Sequence, residues 1–311
     1  MTTAFYNPPA CRAHDMGSGH PESPLRLDAI ANELRGLDLD AVLVQREAPE
    51  ATVQQLERAH DRAYVRNMLR IMSEARDQKR SIVIDPDTIC APATGDAALR
   101  AAGAAVAATD DVIGGRAVNA FCAVRPPGHH ATRNRAMGFS FFNNVAIAAR
   151  HALEQHGLRR VAIIDFDVHH GNGTEDILAD DERALMVSFF QHPLYPGSGV
   201  KPLGRNMVNV PIPPHSGGAE VRTAVETQWL PRLREFEPEM LFVSAGFDAH
   251  RDDPLAQMNL VVQDYTWLTE RIKEVADTYA HGRIVSCLEG GYALNALARS
   301  VAAHVKVLAG V

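Results

Sequence analysis

Residues 165–174, Asp-Phe-Asp-Val-His-His-Gly-Asn-Gly-Thr, place two carboxylates and two imidazoles directly after the apolar run 161–164. Side chains on an extended chain alternate faces, so Asp165, Asp167 and His169 can project to one side while Phe166 and Val168 pack on the other. Two carboxylates and an imidazole form an oxygen and nitrogen donor set suited to a hard or borderline divalent cation. A bare D-x-D is common at strand ends, where the Asp caps a turn and nearby histidines face water; the full string points to a site instead. Catalytic zinc takes three protein ligands and keeps a position open. Asp167, His169 and Asp248, the last in Gly246-Phe247-Asp248-Ala249-His250, supply that number.

Two carboxylate ligands nearly neutralise such a cation and acidify its water less than three imidazoles would, so a separate base within reach becomes useful. His129 and His130, after Arg125-Pro126-Pro127-Gly128, are the candidates, with Asp165 and Asn172 available to fix their tautomers. A carboxylate partner favours the charged form of one histidine, whereas a neutral Asn leaves the other free to lose and regain a proton. Tyr292, in Glu289-Gly290-Gly291-Tyr292, offers a phenolic hydroxyl to a developing oxyanion; its packing alternative is an aromatic anchor for the last helix. Phe139, beside Gly138, is read as a substrate wall, and Phe141 and Phe142 as core.

Strands must carry these residues to one place. Strand-like runs at 3–6, 41–45, 120–124, 160–165, 184–189, 207–210, 240–245 and 283–288 alternate with helical patterns at 25–34, 52–56, 62–74, 96–113, 144–156, 219–236, 263–280 and 293–308. Pro231 predicts a kink in the helix over 219–236. The alternation predicts an α/β chain with a parallel sheet covered on both faces. Sites in open parallel sheets lie outside the carboxyl ends of the strands, and the four polar loops follow the strands at 120, 160, 240 and 283, so they are expected to converge on one cleft. The segment 11–24 reads as a loop whose His14 and His20 face solvent or a rim, and 81–94 as a loop carrying Asp85-Pro86-Asp87-Thr88.

Composition narrows the function further. The 311 residues are 46% hydrophobic and 22% charged, with no composition break, and are read as one domain over 1–311. A net charge of −7 gives no basic footprint for nucleic acid or anionic membrane. No run approaches the roughly 18 apolar residues of a membrane span and no leader is evident, so a cytoplasmic protein is expected. Cys11, Cys90, Cys122 and Cys287 lack C-x-x-C spacing and are read as reduced, mostly buried thiols, with Cys90 in a loop.

The ordered motifs resemble those of the histone deacetylase and acetylpolyamine amidohydrolase superfamily, in particular its class II-like bacterial amidohydrolases. They are 125–131 (Arg-Pro-Pro-Gly-His-His-Ala), 138–144 (Gly-Phe-Ser-Phe-Phe-Asn-Asn), 165–174, 246–250 with Asp253-Pro254-Leu255, 289–292, and His20-Pro21-Glu22 with Arg26-Leu27. The resemblance implies the three-layer α/β/α arginase-deacetylase fold with a mostly parallel, about eight-stranded central sheet. It implies zinc-dependent hydrolysis of an N-acyl amide, typically on a lysine side chain of a protein or peptide, with a small N-acyl amine such as an acetylpolyamine as the alternative. Asp167, His169 and Asp248 would be zinc ligands, His130 the general base and then acid, and His129 with Asp165 an electrostatic partner. Asn172 stands where class II members hold Asn. Tyr292 would polarise the acyl carbonyl, Phe139 and Tyr195 would line the channel, Gly138 would meet the substrate stem, and Asp87 would hold the substrate backbone. Leu255 stands where polyamine-preferring relatives often carry Glu, which favours acyl-lysine. A potassium ion is implied near Asp165, with Ser188 and Phe189 contributing backbone oxygens. A non-enzymatic acyl-lysine binder and an arginase-like dinuclear hydrolase are the competing readings, and oligomeric state is left open.

Overall fold

The computed structural model describes residues 2–311. From the amino end, β1 (Thr3–Tyr6), α1 (Ala10–Ala13), α2 (Leu25–Gly36), β2 (Leu43–Arg46), α3 (Val53–Leu56) and α4 (Arg62–Asp77) lead to a hairpin of β3 (Ile82–Asp85) and β4 (Thr88–Cys90). There follow α5 (Thr94–Ile113), β5 (Asn119–Cys122), α6 (Asn144–Glu154), β6 (Val161–Asp165), α7 (Asn172–Leu178), β7 (Ala184–Gln191) and β8 (Met207–Ile212). Next come α8 (Gly218–Ala224), α9 (Leu230–Phe236), β9 (Met240–Ala245), α10 (Val262–Tyr279), β10 (Ile284–Leu288) and α11 (Leu294–Ala309).

All strands but the hairpin form one eight-stranded sheet in the order β2-β1-β5-β10-β9-β6-β7-β8, and every pairing in it is parallel. Helices α5 and α6 cover one face and α2, α10 and α11 the other, giving the expected three layers. Strands β5, β10, β9 and β6 are buried at every residue, as their unbroken apolar runs require, while the edge strands β2 and β8 are partly exposed. Each large apolar side chain sealed between the layers contributes about 1.5–3 kcal/mol. Alanines 97, 98, 101, 102, 104, 105 and 108 of α5 are buried, and their small bulk lets the helix lie close to the sheet.

Several expectations are corrected. Residues 81–94 are not all loop: β-branched runs on either side of Asp85-Pro86-Asp87 pair as the hairpin, which places Cys90 in a strand. The proline and carboxylates at its centre mask those runs. Helix α7 starts at Asn172, where no helix was expected, because its polar, glycine-rich beginning hides the period. Pro231 cannot donate to the preceding turn, and the chain absorbs the defect as one π turn, Val225–Trp229, between α8 and α9. All four cysteines are free and buried, and Cys122 and Cys287 are register partners on β5 and β10. No helix among the described residues is long and apolar enough to cross a membrane.

Candidate active site

The sheet order makes β5, β10, β9 and β6 neighbours, so the four polar loops that leave their carboxyl ends meet. Asp167, His169 and Asp248 bring one donor atom each to within 4.8 Å of one another. His169 Nδ1 is 3.0 Å from Asp167 Oδ1 and 3.2 Å from Asp248 Oδ2. The other oxygens are held by backbone: Asp248 Oδ1 accepts from Val168 N at 2.9 Å, and Asp167 Oδ2 from Gly290 N at 2.8 Å.

Three observations fit this set to a divalent cation. Asp248 Oδ2 is buried and makes no well-aligned hydrogen bond, His169 Nδ1 at 3.2 Å included, which is costly for a carboxylate oxygen unless an ion satisfies it. A Cβ on Gly290 would lie 2.0 Å from that oxygen, so only glycine lets the backbone close over the group. The charges also want neutralising. Burial disfavours the Asp248 carboxylate and pushes its pKa up to about 7, with Asp167 adding to the effect. Burial acts to lower the His169 pKa, yet Asp167 and Asp248 outweigh it and push it up to about 10. A proton on His169 thus does part of what a cation would do.

The paired histidines sit beside this set with different partners. His129 Nδ1 is 3.0 Å from Asp165 Oδ2, and His130 Nδ1 donates to Asn172 Oδ1 at 2.7 Å. That bond leaves His130 Nε2 as the acceptor nitrogen. Although burial opposes it, Asp167 and Asp165 raise the His129 pKa well above the ordinary value. Burial lowers that of His130 well below it, with the charges on His129 and His169 acting in the same direction. The two histidines are thus biased in opposite directions, His129 toward its charged form and His130 toward its neutral one. Glu289 fixes the backbone of the pair: Oε2 accepts from Gly128 N at 2.6 Å and His129 N at 3.1 Å, and Oε1 from Ser244 Oγ at 3.1 Å.

A cleft of about 240 Å³ opens over these groups, lined also by Asp87, Gly138, Phe139, Tyr195, Leu255 and Tyr292. Burial pushes the Tyr292 phenol well above its usual pKa, so it remains a donor. Its ring stands edge-on to Phe139, 5.9 Å between centroids, and the Arg26 guanidinium lies 5.0 Å over it. Tyr195 meets His130 edge-on at 5.2 Å. Asp87 sits at the turn of the β3–β4 hairpin, where Thr88 Oγ1 donates to it at 2.8 Å and accepts from Phe139 N at 3.0 Å. Phe141 and Phe142 are fully buried. Ser188 is the register partner of Asp165 and donates to Asn209 Oδ1 at 3.3 Å, while Phe189 stacks on Trp229; no observation there supports the expected potassium.

Gly138 has φ +55°, and a Cβ built there would lie 2.4 Å from His130 Cδ2. Gly138→Ala combines left-handed strain with overpacking, so we expect a stability loss of about 1–3 kcal/mol and at least about tenfold lower turnover. Thermal unfolding and steady-state kinetics check this; wild-type values for both would show that the contact is relieved without moving His130.

His20 lies at the rim as expected, edge-on to Phe139 at 4.7 Å, but His14 is fully buried, contrary to expectation. Its Nδ1 meets Thr94 Oγ1 at 2.9 Å and its Nε2 lies 3.4 Å from Glu22 Oε2. Glu22 in turn pairs with Arg125 and Arg26, all fully buried behind the cleft. These three were legible only as parts of motifs, and Glu289 likewise; a charged residue within an apolar run or turn was the available signal. A second His and Asp group, Asp110, His151 and His156, contributes nothing to the cleft. There the Arg58 guanidinium lies 2.5 Å from His151 Nδ1, and both Nε2 atoms meet Asp110 Oδ1 at 2.7 and 2.6 Å.

The sequence model of the histone deacetylase domain matches residues 20–308. Histone deacetylase 14, chloroplastic, of Arabidopsis thaliana is 39% identical over 98% of this chain and 76% of its own length. Human polyamine deacetylase HDAC10 is 36% identical over 93% of this chain and 44% of its own. Among solved structures, the HDA15 HD domain superposes with a TM-score of 0.92 at 32% identity, over 99% of this chain and 88% of that one.

Proposed function

Because the chain belongs to the histone deacetylase family, we propose that its cleft hydrolyses N-acyl groups from lysine side chains with the aid of zinc. The observation that carries this is the convergence, in one place, of a three-donor set, a histidine whose Nδ1 is committed to Asn172, and a phenol lining the cleft. Zinc held by Asp167, His169 and Asp248 would supply a Lewis acid that acidifies water and polarises the acyl carbonyl. His130 Nε2 takes the proton of the attacking water and delivers it to the departing amine. Asn172 keeps that nitrogen unprotonated by accepting from the other, and His129, charged beside Asp165, offsets the negative charge that builds nearby. The Tyr292 hydroxyl donates to the acyl oxygen as it becomes an oxyanion. Phe139 and Tyr195 grip the methylene stem, Gly138 leaves room beside His130, and Asp87 accepts from the substrate backbone at the mouth.

The similarity to a polyamine deacetylase favours a second reading, an acetylpolyamine substrate. Away from the metal-ligand set, Asp87 is the one carboxylate lining the cleft, while Leu255 offers nothing to a second ammonium. Acetyl-lysine peptide, N-acetylputrescine and N-acetylspermidine should therefore differ, with kcat/KM higher for the peptide by about tenfold or more, equivalent to about 1.4 kcal/mol. A comparable preference for either polyamine would replace the first reading with the second.

A further inference from the structure

We propose that Asp253 is the positioning residue for Tyr292, and that its carboxylate ties the mouth of the cleft to the phenol. The inference rests on the reading of Tyr292 as the oxyanion donor. Asp253 is only 6% exposed. Its Oδ2 accepts from Tyr292 N at 2.6 Å and Ala293 N at 3.3 Å, and its Oδ1 from Leu255 N at 3.0 Å. All three donors belong to backbone that carries cleft residues or follows one directly. Burial raises the Asp253 pKa, but both of its oxygens face backbone N–H donors, an arrangement that suits the carboxylate; a group so engaged is fixed in place, and hydrogen bonds to an ionised acceptor are the stronger kind.

Tyr292 needs such a hold. The two residues before it are glycines, and Gly291 has φ +117°, so no side chain at either position steers the chain as it leaves β10, although Gly290 is held by Asp167 through its N–H and by Phe247 N through its carbonyl. The peptide bond between Gly291 and Tyr292 is instead gripped from both ends by opposite charges. Its carbonyl accepts from Arg26 Nε at 2.6 Å, and its N–H donates to Asp253. Ala293 N, on the following peptide plane, donates to the same oxygen, so the planes on both sides of the Tyr292 Cα are held, and with them its Cα–Cβ direction. Leu255 hangs on the other oxygen of the same carboxylate, so a displacement of the mouth is felt at Tyr292.

The test is a double-mutant cycle of Asp253→Asn and Tyr292→Phe, read on acetyl-lysine peptide, with zinc content and thermal unfolding followed in each variant. Asn is isosteric, but one of its two atoms is a donor and would face a backbone N–H. We expect D253N to lower kcat by about ten- to a hundredfold with KM changed less than about threefold, the pattern of an interaction made in the transition state. In the Y292F background the same substitution should cost less than about threefold, because the group it positions is gone. Equal losses in both backgrounds, or a loss confined to KM, overturn the proposal while leaving Tyr292 as the donor. Near-normal turnover of Y292F alone overturns both. If D253N does not fold, D253E, which keeps the charge and shifts the carboxylate by one methylene, goes through the same cycle with the same criteria.

Discussion

Asp248→Asn is expected to lose bound zinc and to lower turnover by on the order of 10³-fold or more, since a metal's Lewis acidity is worth several kcal/mol of barrier. The substitution is chosen for what it leaves alone. Asn can still accept from Val168 N through one atom, so the backbone contact at 2.9 Å survives. The other atom changes from a carboxylate oxygen, buried without a well-aligned hydrogen bond, to a neutral amide that ligates poorly. Burial and then the Asp167 charge disfavour the Asp248 carboxylate by more than His169 favours it, so the melting temperature of the metal-free protein should be unchanged or raised. Chelation of the wild type should reproduce the loss, and added zinc should reverse it there but not in the variant. Stoichiometric zinc in D248N, with turnover near wild type, would remove Asp248 from the ligand set.

Tyr292→Phe comes second in expected effect, at least on the order of a hundredfold in kcat, the usual cost of deleting one oxyanion donor. Burial keeps the phenol protonated, so the deleted group is a neutral donor across the accessible pH range. The ring's contacts with Phe139 and Arg26 remain, and zinc content and melting temperature should therefore match the wild type. Turnover within a few-fold of wild type would end the assignment. A loss accompanied by zinc release would assign Tyr292 to holding the site together instead of to the reaction.

How much of this the chain announced varies by residue. The runs ending at Asp165, Ala245 and Leu288 are apolar at every position because both faces of the sheet are covered, and such runs are plain in sequence. The loops after them were equally plain, because carboxylates, imidazoles and glycines break those runs abruptly. What could not be read was adjacency. Nothing local states that β10, the last strand, inserts between β5 and β9, and only that insertion sets Gly290 against Asp167 and Asp248. His14 was misplaced for a related reason. A loop rich in glycine and proline ordinarily lies in water, but this one contributes Glu22, whose partner Arg125 is 103 residues away, and His14 is buried with them. Asp253 was visible only as part of a motif; its task depends on a backbone 39 residues downstream.

The position of β10 has a consequence for synthesis. On a ribosome, β5 and β9 emerge well before the strand that separates them, so until residues 284–288 appear the nascent sheet has either a gap or a false pairing at its centre. Bare edges of apolar strands invite intermolecular pairing. A truncated translation product ending before β10 therefore lacks both Tyr292 and the strand that joins the two halves of the sheet, and leaves the apolar edges of β5 and β9 unpaired.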